Sequence, residues 1–317
     1  MPGRRPIRRI LGRVLTLLLV AVVVLNWTYG RLPSTPHATG RLAQLAGLRV
    51  RYLERPGPEP AVLLLHGLPG TAEDFEAVTP LIAGHRTIAI DRPGFGFSTG
   101  GYVSFDRQLR AIHELLARLG VTSPIIVGHS YGGTIALGYA ESHPREVAGL
   151  VLVDAAATCT HNSFLERAQA RLVQVLELPV VAQLADITFS QLLRKASAEP
   201  TESEAFDPEG VAARHRARVL SINLKHGNLE AYAGEVLAAN GVIAHLNRGL
   251  SQIRVPAVVI QGAQDKLVKP ECGRRLAASL PDARLVMVGG GHMAPYTHPA
   301  AVAAAVQAVA LQHAPRG

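Results

Sequence analysis

An abrupt passage from strand to helix constrains this chain more than any other feature. Pro124-Ile125-Ile126-Val127 is a short apolar run, Gly128-His129-Ser130-Tyr131-Gly132-Gly133 follows it, and Thr134 to Glu141 is a helix-forming run. Backbone can cross from strand to helix this sharply only where side chains are absent. Gly128 and Gly132 leave that space free, so strand and helix approach closely. The residue held between them is lifted clear of the sheet, and here it is Ser130.

The flanking sequence alternates in the same way. Leu48 to Leu53 has the period of a half-exposed strand, and Ala61 to Leu65 is an unbroken apolar run that suits a strand covered on both faces. Thr71 and Asp74 have the spacing of a helix start. Arg86 to Ile90 reads as a strand, Ser104 to Leu119 as a helix, and Val147 to Val153 as the next strand. Strands at Val255 to Ile260 and Arg284 to Val288 alternate with helices at Pro270 to Leu280 and His298 to Leu311. The expected fold class is therefore α/β, a mostly parallel sheet with helices on both faces and ligand sites at the carboxyl ends of its strands. Residues 47–155 and 251–317 form its core. Residues 156–250 interrupt the alternation with helical patterns and read as an inserted helical cap. Its apolar residues Phe164, Leu165, Leu172, Leu176, Phe189, Leu192 and Leu193 are expected to pack inside that cap.

Apolar residues make up 48% of the 317-residue chain and charged residues 18%, which provides an ample core. The net charge of +8 overstates its basic character. Arg4, Arg5, Arg8, Arg9 and Arg13 carry five of those charges, and no basic block with interleaved aromatics follows. Nucleic acid is not an expected partner. The arginines precede an apolar block, Val14 to Leu25, broken only by Thr16, with Trp27 and Tyr29 just beyond. Residues 1–30 thus read as a membrane anchor or a signal segment. An Ala-x-Ala-like cleavage site is not apparent, and the aromatic pair suits the far interface, which favours the anchor with the catalytic part exported. The alternative is secretion after cleavage. Residues 31–46 read as a linker. Cys159 and Cys272 could pair in an oxidising compartment, but the expected state is two unrelated buried thiols.

Ser130 becomes a nucleophile only if a base takes its proton. His292 follows the last strand in Gly289-Gly290-Gly291-His292, and Asp265 follows the strand at Val255 to Ile260. Asp154, after the strand ending at Val153, is the rival acid, and His66 and His129 are rival imidazoles. The backbone N–H groups of Tyr131 and Leu68 are the candidate oxyanion donors, since Pro69 has none. His66 is expected to support that loop by hydrogen bonds.

His66-Gly67-Leu68-Pro69-Gly70, Asp91-Arg92-Pro93-Gly94-Phe95-Gly96-Phe97-Ser98, Gly128 to Gly133, Gly262-Ala263-Gln264-Asp265 and Gly291-His292 occur in order. Together they resemble the α/β-hydrolase fold superfamily, in its cap-bearing branch. The resemblance implies the order Ser130, Asp265, His292 and the site-bordering loop from Asp91 to Ser98. Epoxide hydrolases and haloalkane dehalogenases of that branch use an Asp nucleophile, so Ser130 argues against both activities. The resemblance implies a serine hydrolase acting on a carboxylic ester or related acyl substrate, expected to be a small apolar molecule. Carbon–carbon bond hydrolysis or peptidase action on the same triad is the alternative within enzymes. A catalytically idle hydrolase fold that only binds is the alternative of another class. No metal or organic cofactor is expected, because triad chemistry is complete without one.

Overall fold

The computed structural model describes residues 4–29, 35–45, 47–159, 162–188 and 203–313. Eight strands form one sheet in the order β1-β2-β4-β3-β5-β6-β7-β8. β1 (Arg41–Leu45) and β2 (Leu48–Arg55) pair antiparallel at one edge, and β2 runs antiparallel to β4 (Thr87–Ile90). β3 (Val62–Leu65), β4, β5 (Ile125–His129), β6 (Gly149–Val153), β7 (Ala257–Gly262) and β8 (Ala283–Val288) are parallel. α1 (Arg4–Tyr29) precedes the sheet, while α2 (Phe105–Arg118) and α3 (Tyr131–Ser142) follow β4 and β5. Between β6 and β7 come α4 (Phe164–Leu176), α5 (Pro179–Thr188), α6 (Ala213–Asn223) and α7 (His226–Leu246). α8 (Pro270–Ser279) joins β7 to β8, and a short turn, α9 (Ala294–Thr297), leads into α10 (Pro299–His313).

The central strands bury both faces, which is why their sequences are continuously apolar. Side chains alternate across the sheet with period two. Leu63, Leu65, Ile126 and Leu152 point to the face covered by α2 and α3. Val62, Leu64, Val127 and Val153 point to the face covered by Val302, Val306 and Val309 of α10. Each such fully buried aliphatic side chain contributes about 1.5–3 kcal/mol. A polar substitution at Leu64 or Val127 would therefore break the layer beneath the site.

Two expectations need correction at the N-terminal side. Residues 31–46 read as a linker, yet Arg41–Leu45 is a strand whose Ala43 and Leu45 turn inward and are buried. Five residues beside a Pro-containing approach give too short a pattern to stand out. The helix expected from Thr71 is only a 3-10 turn, Ala72–Phe75. Asp74 accepts the Thr71 N–H at 3.3 Å, and Asp91 takes the Ala72 N–H at 2.8 Å, which pins the turn to the sheet.

The helices between β6 and β7 are built locally. α4 opens with a reciprocal cap: Glu166 N–H donates to Ser163 Oγ at 3.2 Å, and Ser163 N–H donates to Glu166 Oε2 at 2.6 Å. α4 packs Ala170 and Val173 on Ala233 and Val236 of α7. Leu176 is half-buried, but Phe164, Leu165 and Leu172, expected inside, are exposed. They lie on the side of α4 away from α7. Phe189, Leu192 and Leu193 lie outside the described residues.

Cys159 and Cys272 form a disulfide, with Cα atoms 5.3 Å apart. This corrects the expectation of two unrelated thiols. Their sequence separation of 113 residues hid the contact, which exists because α8 begins beside the segment leaving β6. The bridge ties the root of the helical insertion to the sheet layer, and Thr158 Oγ reinforces it by donating to the Cys272 carbonyl at 2.8 Å.

Candidate active site

Ser130 stands at the tip of the β5–α3 turn with φ 51° and ψ −123°. A Cβ-bearing residue is strained there, at a cost of order 1–3 kcal/mol, and the surroundings hold it in place. Its N–H donates to the Val153 carbonyl at 2.9 Å, and its carbonyl accepts from Gly133 at 2.9 Å and Ala156 at 3.0 Å. The glycines are required by proximity. A Cβ on Gly128 would meet the Gly132 carbonyl oxygen at 2.5 Å, and one on Gly132 would collide with the Leu65 carbonyl.

His292 lies in the turn after β8, and its Nδ1 donates to Asp265 Oδ2 at 2.7 Å. Asp265 is fixed in turn. Its Oδ1 accepts from the Leu267 and Val268 N–H groups, both at 2.9 Å, and Gln261 Nε2 reaches Oδ2 at 3.3 Å. Burial disfavours the imidazolium of His292, but the hydrogen bond and charge of Asp265, with Asp154 behind, raise its pKa above 6.5 overall. Ser130 and His292 line the same cavity, about 630 Å³ in volume. Its walls come from the sheet edge and the helical insertion, including Leu68, Val236, Ile243 and Met293.

The rival residues have other work. Asp154 is buried and does not bond His292: it accepts from Gly262 N–H at 2.7 Å and Ala294 N–H at 3.3 Å. Burial pushes its pKa up to about 7, and Asp265 adds to the rise. His129 Nε2 donates to the His292 carbonyl at 2.8 Å, and burial, then the charge of His292, pushes its pKa down to about 3. His66 donates from Nδ1 to the Gly67 carbonyl at 2.9 Å and accepts the Arg92 N–H on Nε2 at 2.8 Å. Those bonds fix a neutral tautomer, and burial and Arg92 hold its pKa well below 6.5. His66 is thus a loop support, as expected.

His129, Asp154 and His292 offer ligand atoms within 4.8 Å of one another. A cation there would compete with the proton on His292, and Asp154 already accepts from the Gly262 and Ala294 N–H groups. The set fits proton chemistry better than a metal.

Leu68 and Tyr131 line the cavity beside Ser130. A Cβ on Gly67 would sit 3.0 Å from the Ser130 Cβ, so only glycine lets the Leu68 loop lie this close. Sequence reasoning missed what holds that loop. Arg92 is fully buried and donates to the carbonyls of His66 at 3.0 Å and Gly67 at 2.8 Å. The same guanidinium makes a bidentate pair with Glu235 of α7, at 2.6 and 3.0 Å. Gln108 completes the group, donating to Glu235 at 2.6 Å. Arg92 sits in the Asp91-to-Ser98 motif, so its position was a visible signal; nothing in sequence marks Glu235 as its partner.

The family model described as "alpha/beta hydrolase fold" matches residues 60–299. The chain belongs to the alpha/beta hydrolase fold family. It is 26% identical over 235 residues to lipase 1 of Psychrobacter immobilis, covering 72% of this chain and 69% of the relative. It is 28% identical to the 2-hydroxy-6-oxononadienedioate/2-hydroxy-6-oxononatrienedioate hydrolase of Burkholderia vietnamiensis, covering 79% and 87%. Among solved structures, a thermophilic esterase from Thermogutta terrifontis superposes with a TM-score of 0.67 at 20% identity, covering 87% of this chain and 99% of that one. That likeness shows the fold. With the family and the lipase and hydrolase relatives, this chain is a hydrolase enzyme.

Proposed function

We propose that this hydrolase cleaves a carboxylic ester through Ser130, His292 and Asp265. The observation that carries the reading is the 2.7 Å bond from His292 to Asp265 beside the cavity that Ser130 also lines. His292 Nε2 takes the Ser130 proton as Oγ attacks the carbonyl carbon. Asp265 holds the tautomer and stabilises the imidazolium. The Leu68 and Tyr131 N–H groups receive the oxyanion. The imidazolium returns its proton to the leaving alkoxide, and water then releases the acid from the acyl enzyme.

The helices of residues 156–250 act as the cap, shedding water from the site and shaping an apolar pocket. An apolar or amphiphilic ester fits that lining, and similarity to a lipase supports it. Similarity to the Burkholderia hydrolase supports carbon–carbon bond hydrolysis as the second reading. α1 holds the enzyme in a membrane. Its apolar part, Ile10–Tyr29, is 20 residues long, about what a bilayer core requires.

Release of p-nitrophenol from acyl esters of rising chain length, compared with Ser130→Ala, tests the ester reading. Turnover lost in the variant is the expected result, and a fluorophosphonate label on Ser130 is expected in the wild type. Failure of both turnover and labelling would leave an idle fold. Labelling without ester turnover would favour the carbon–carbon reading.

A further inference from the structure

The helical insertion has an apolar outer face. On α4, Leu165, Leu172 and Val175 recur at i, i+7 and i+10, so they stand in one stripe opposite the face packed on α7. Leu172 is 56% exposed, and Phe164, at the start of the helix, 86%. On α5, Val180 and Leu184 lie one turn apart and are 72% and 63% exposed. Seven of the thirteen large apolar side chains exposed outside α1, among the described residues, fall within residues 164–184. Exposed apolar side chains grouped this closely mark a surface that meets something apolar.

α1 lies beside that surface. The amide of Asn26 is buried and donates to the Asp186 carbonyl of α5 at 2.9 Å. Trp27 and Tyr29 are exposed at this same end of α1. Such residues settle at the boundary between lipid and water. A bilayer crossed by α1 would therefore have its surface at the level where α5 is attached. α5 packs against both α1 and α4, so the three helices adjoin one another.

We propose that α4 and α5 dock into the lipid surface of the bilayer that α1 crosses. The proposal rests on the reading of α1 as an anchor. It also bears on the substrate. Glu166 of α4 and the nearby Asn162 line the catalytic cavity, so a docked α4 carries the cavity rim to the lipid boundary. A bilayer-dissolved ester enters along α4 without crossing bulk water.

The full chain is placed in vesicles of phosphatidylethanolamine and phosphatidylglycerol, part of which carry a nitroxide on the acyl chain. Trp27, the single tryptophan, reports on α1. An environment-sensitive fluorophore on Leu172→Cys reports on α4, and the same label on Ala117→Cys of α2 serves as a distant control. Quenching of Trp27 and the Leu172 label, with the Ala117 label unaffected, is the expected result. Quenching of Trp27 alone overturns the docking and leaves the anchor standing. Quenching of the Leu172 label alone removes the anchor and overturns the proposal in this form, leaving a face that meets lipid without α1. Quenching of neither overturns both, and self-quenching of the Leu172 label without lipid quenching assigns the face to a second copy instead. A second variant reads the consequence. Leu172→Glu with Val175→Glu is expected to slow turnover of a vesicle-borne ester about tenfold while turnover of a soluble short-chain ester is unchanged. Equal turnover of the vesicle-borne ester by variant and wild type overturns the entry route.

Discussion

At the scale of single residues, the site is a contest between two buried carboxylates for one imidazole. Asp265 bonds His292 directly, and Asp154 acts on it only through space. Asp265→Asn is expected to lower kcat by roughly 10⁴-fold, because the amide would favour the wrong tautomer. Its acid limb should also move to lower pH, since burial then dominates the imidazole. Asp154→Asn should leave kcat within a few-fold of wild type and move the limb only slightly. Steady-state kinetics of both variants from pH 5 to 9 check this, and a larger loss in Asp154→Asn would exchange the roles. The wild-type limb itself follows from the raised pKa of His292. In the proposed mechanism neutral imidazole is the active form, so activity is expected to be lost as pH falls through a value above 6.5. Asp154 also leaves a mark on stability. Its pKa rises from 3.8 to about 7 on folding, so the stability it contributes is present below pH 3.8 and lost as pH climbs towards 7. Thermal melts of Asp154→Asn across that window should fall less steeply than those of the wild type.

Two links between elements hold the insertion over the sheet. The first is Arg92 with Glu235, both fully or nearly fully buried. Removing one member strands a buried charge, and Glu235→Ala is expected to cost about 3–5 kcal/mol in denaturant unfolding. Arg92→Met with Glu235→Leu should recover most of that stability. It should not recover activity, because the Gly67 carbonyl bond that seats the Leu68 loop is gone as well. Recovery of both would make the pair purely structural. The second link is the disulfide, which spans a sequence separation of 113 residues and encloses the helices of the insertion. Cys159→Ser with Cys272→Ser is expected to lose about 4–5 kcal/mol by the chain-entropy argument. Guanidinium titration of the oxidised and double-variant proteins measures it.

At the scale of the whole molecule, the anchor proposed for α1 would decide where the chemistry occurs. An anchor survives export, so the full-length mass should be found in the membrane fraction and resist extraction by carbonate. A soluble protein of reduced mass would instead indicate a cleaved signal. The apolar faces of α4 and α5 give this prediction a functional edge, because the proposed docking and the proposed anchor would act together at α5, on which α1 packs.

The sequence alone determined the features that depend on neighbouring residues. Glycines at 128 and 132 dictate a tight strand-to-helix turn because any Cβ there collides with backbone. Apolar runs such as Val62–Leu65 dictate doubly covered strands. The placement of Asp265 and His292 just after strand ends follows from the same alternation. Tertiary structure decided whatever joins residues far apart in the chain. The strand at Arg41–Leu45 exists because β2 offers a partner, and five residues show too little pattern on their own. The Cys159–Cys272 bridge, the Arg92–Glu235 pair and the Asn26–Asp186 contact each span more than 100 residues. Such contacts are fixed by how helices dock on a sheet, a geometry that local periodicity does not encode. The exposed stripe of α4 carries the same lesson. Its apolar spacing marks a covered face, but only the packed fold reveals that α7 covers the opposite one.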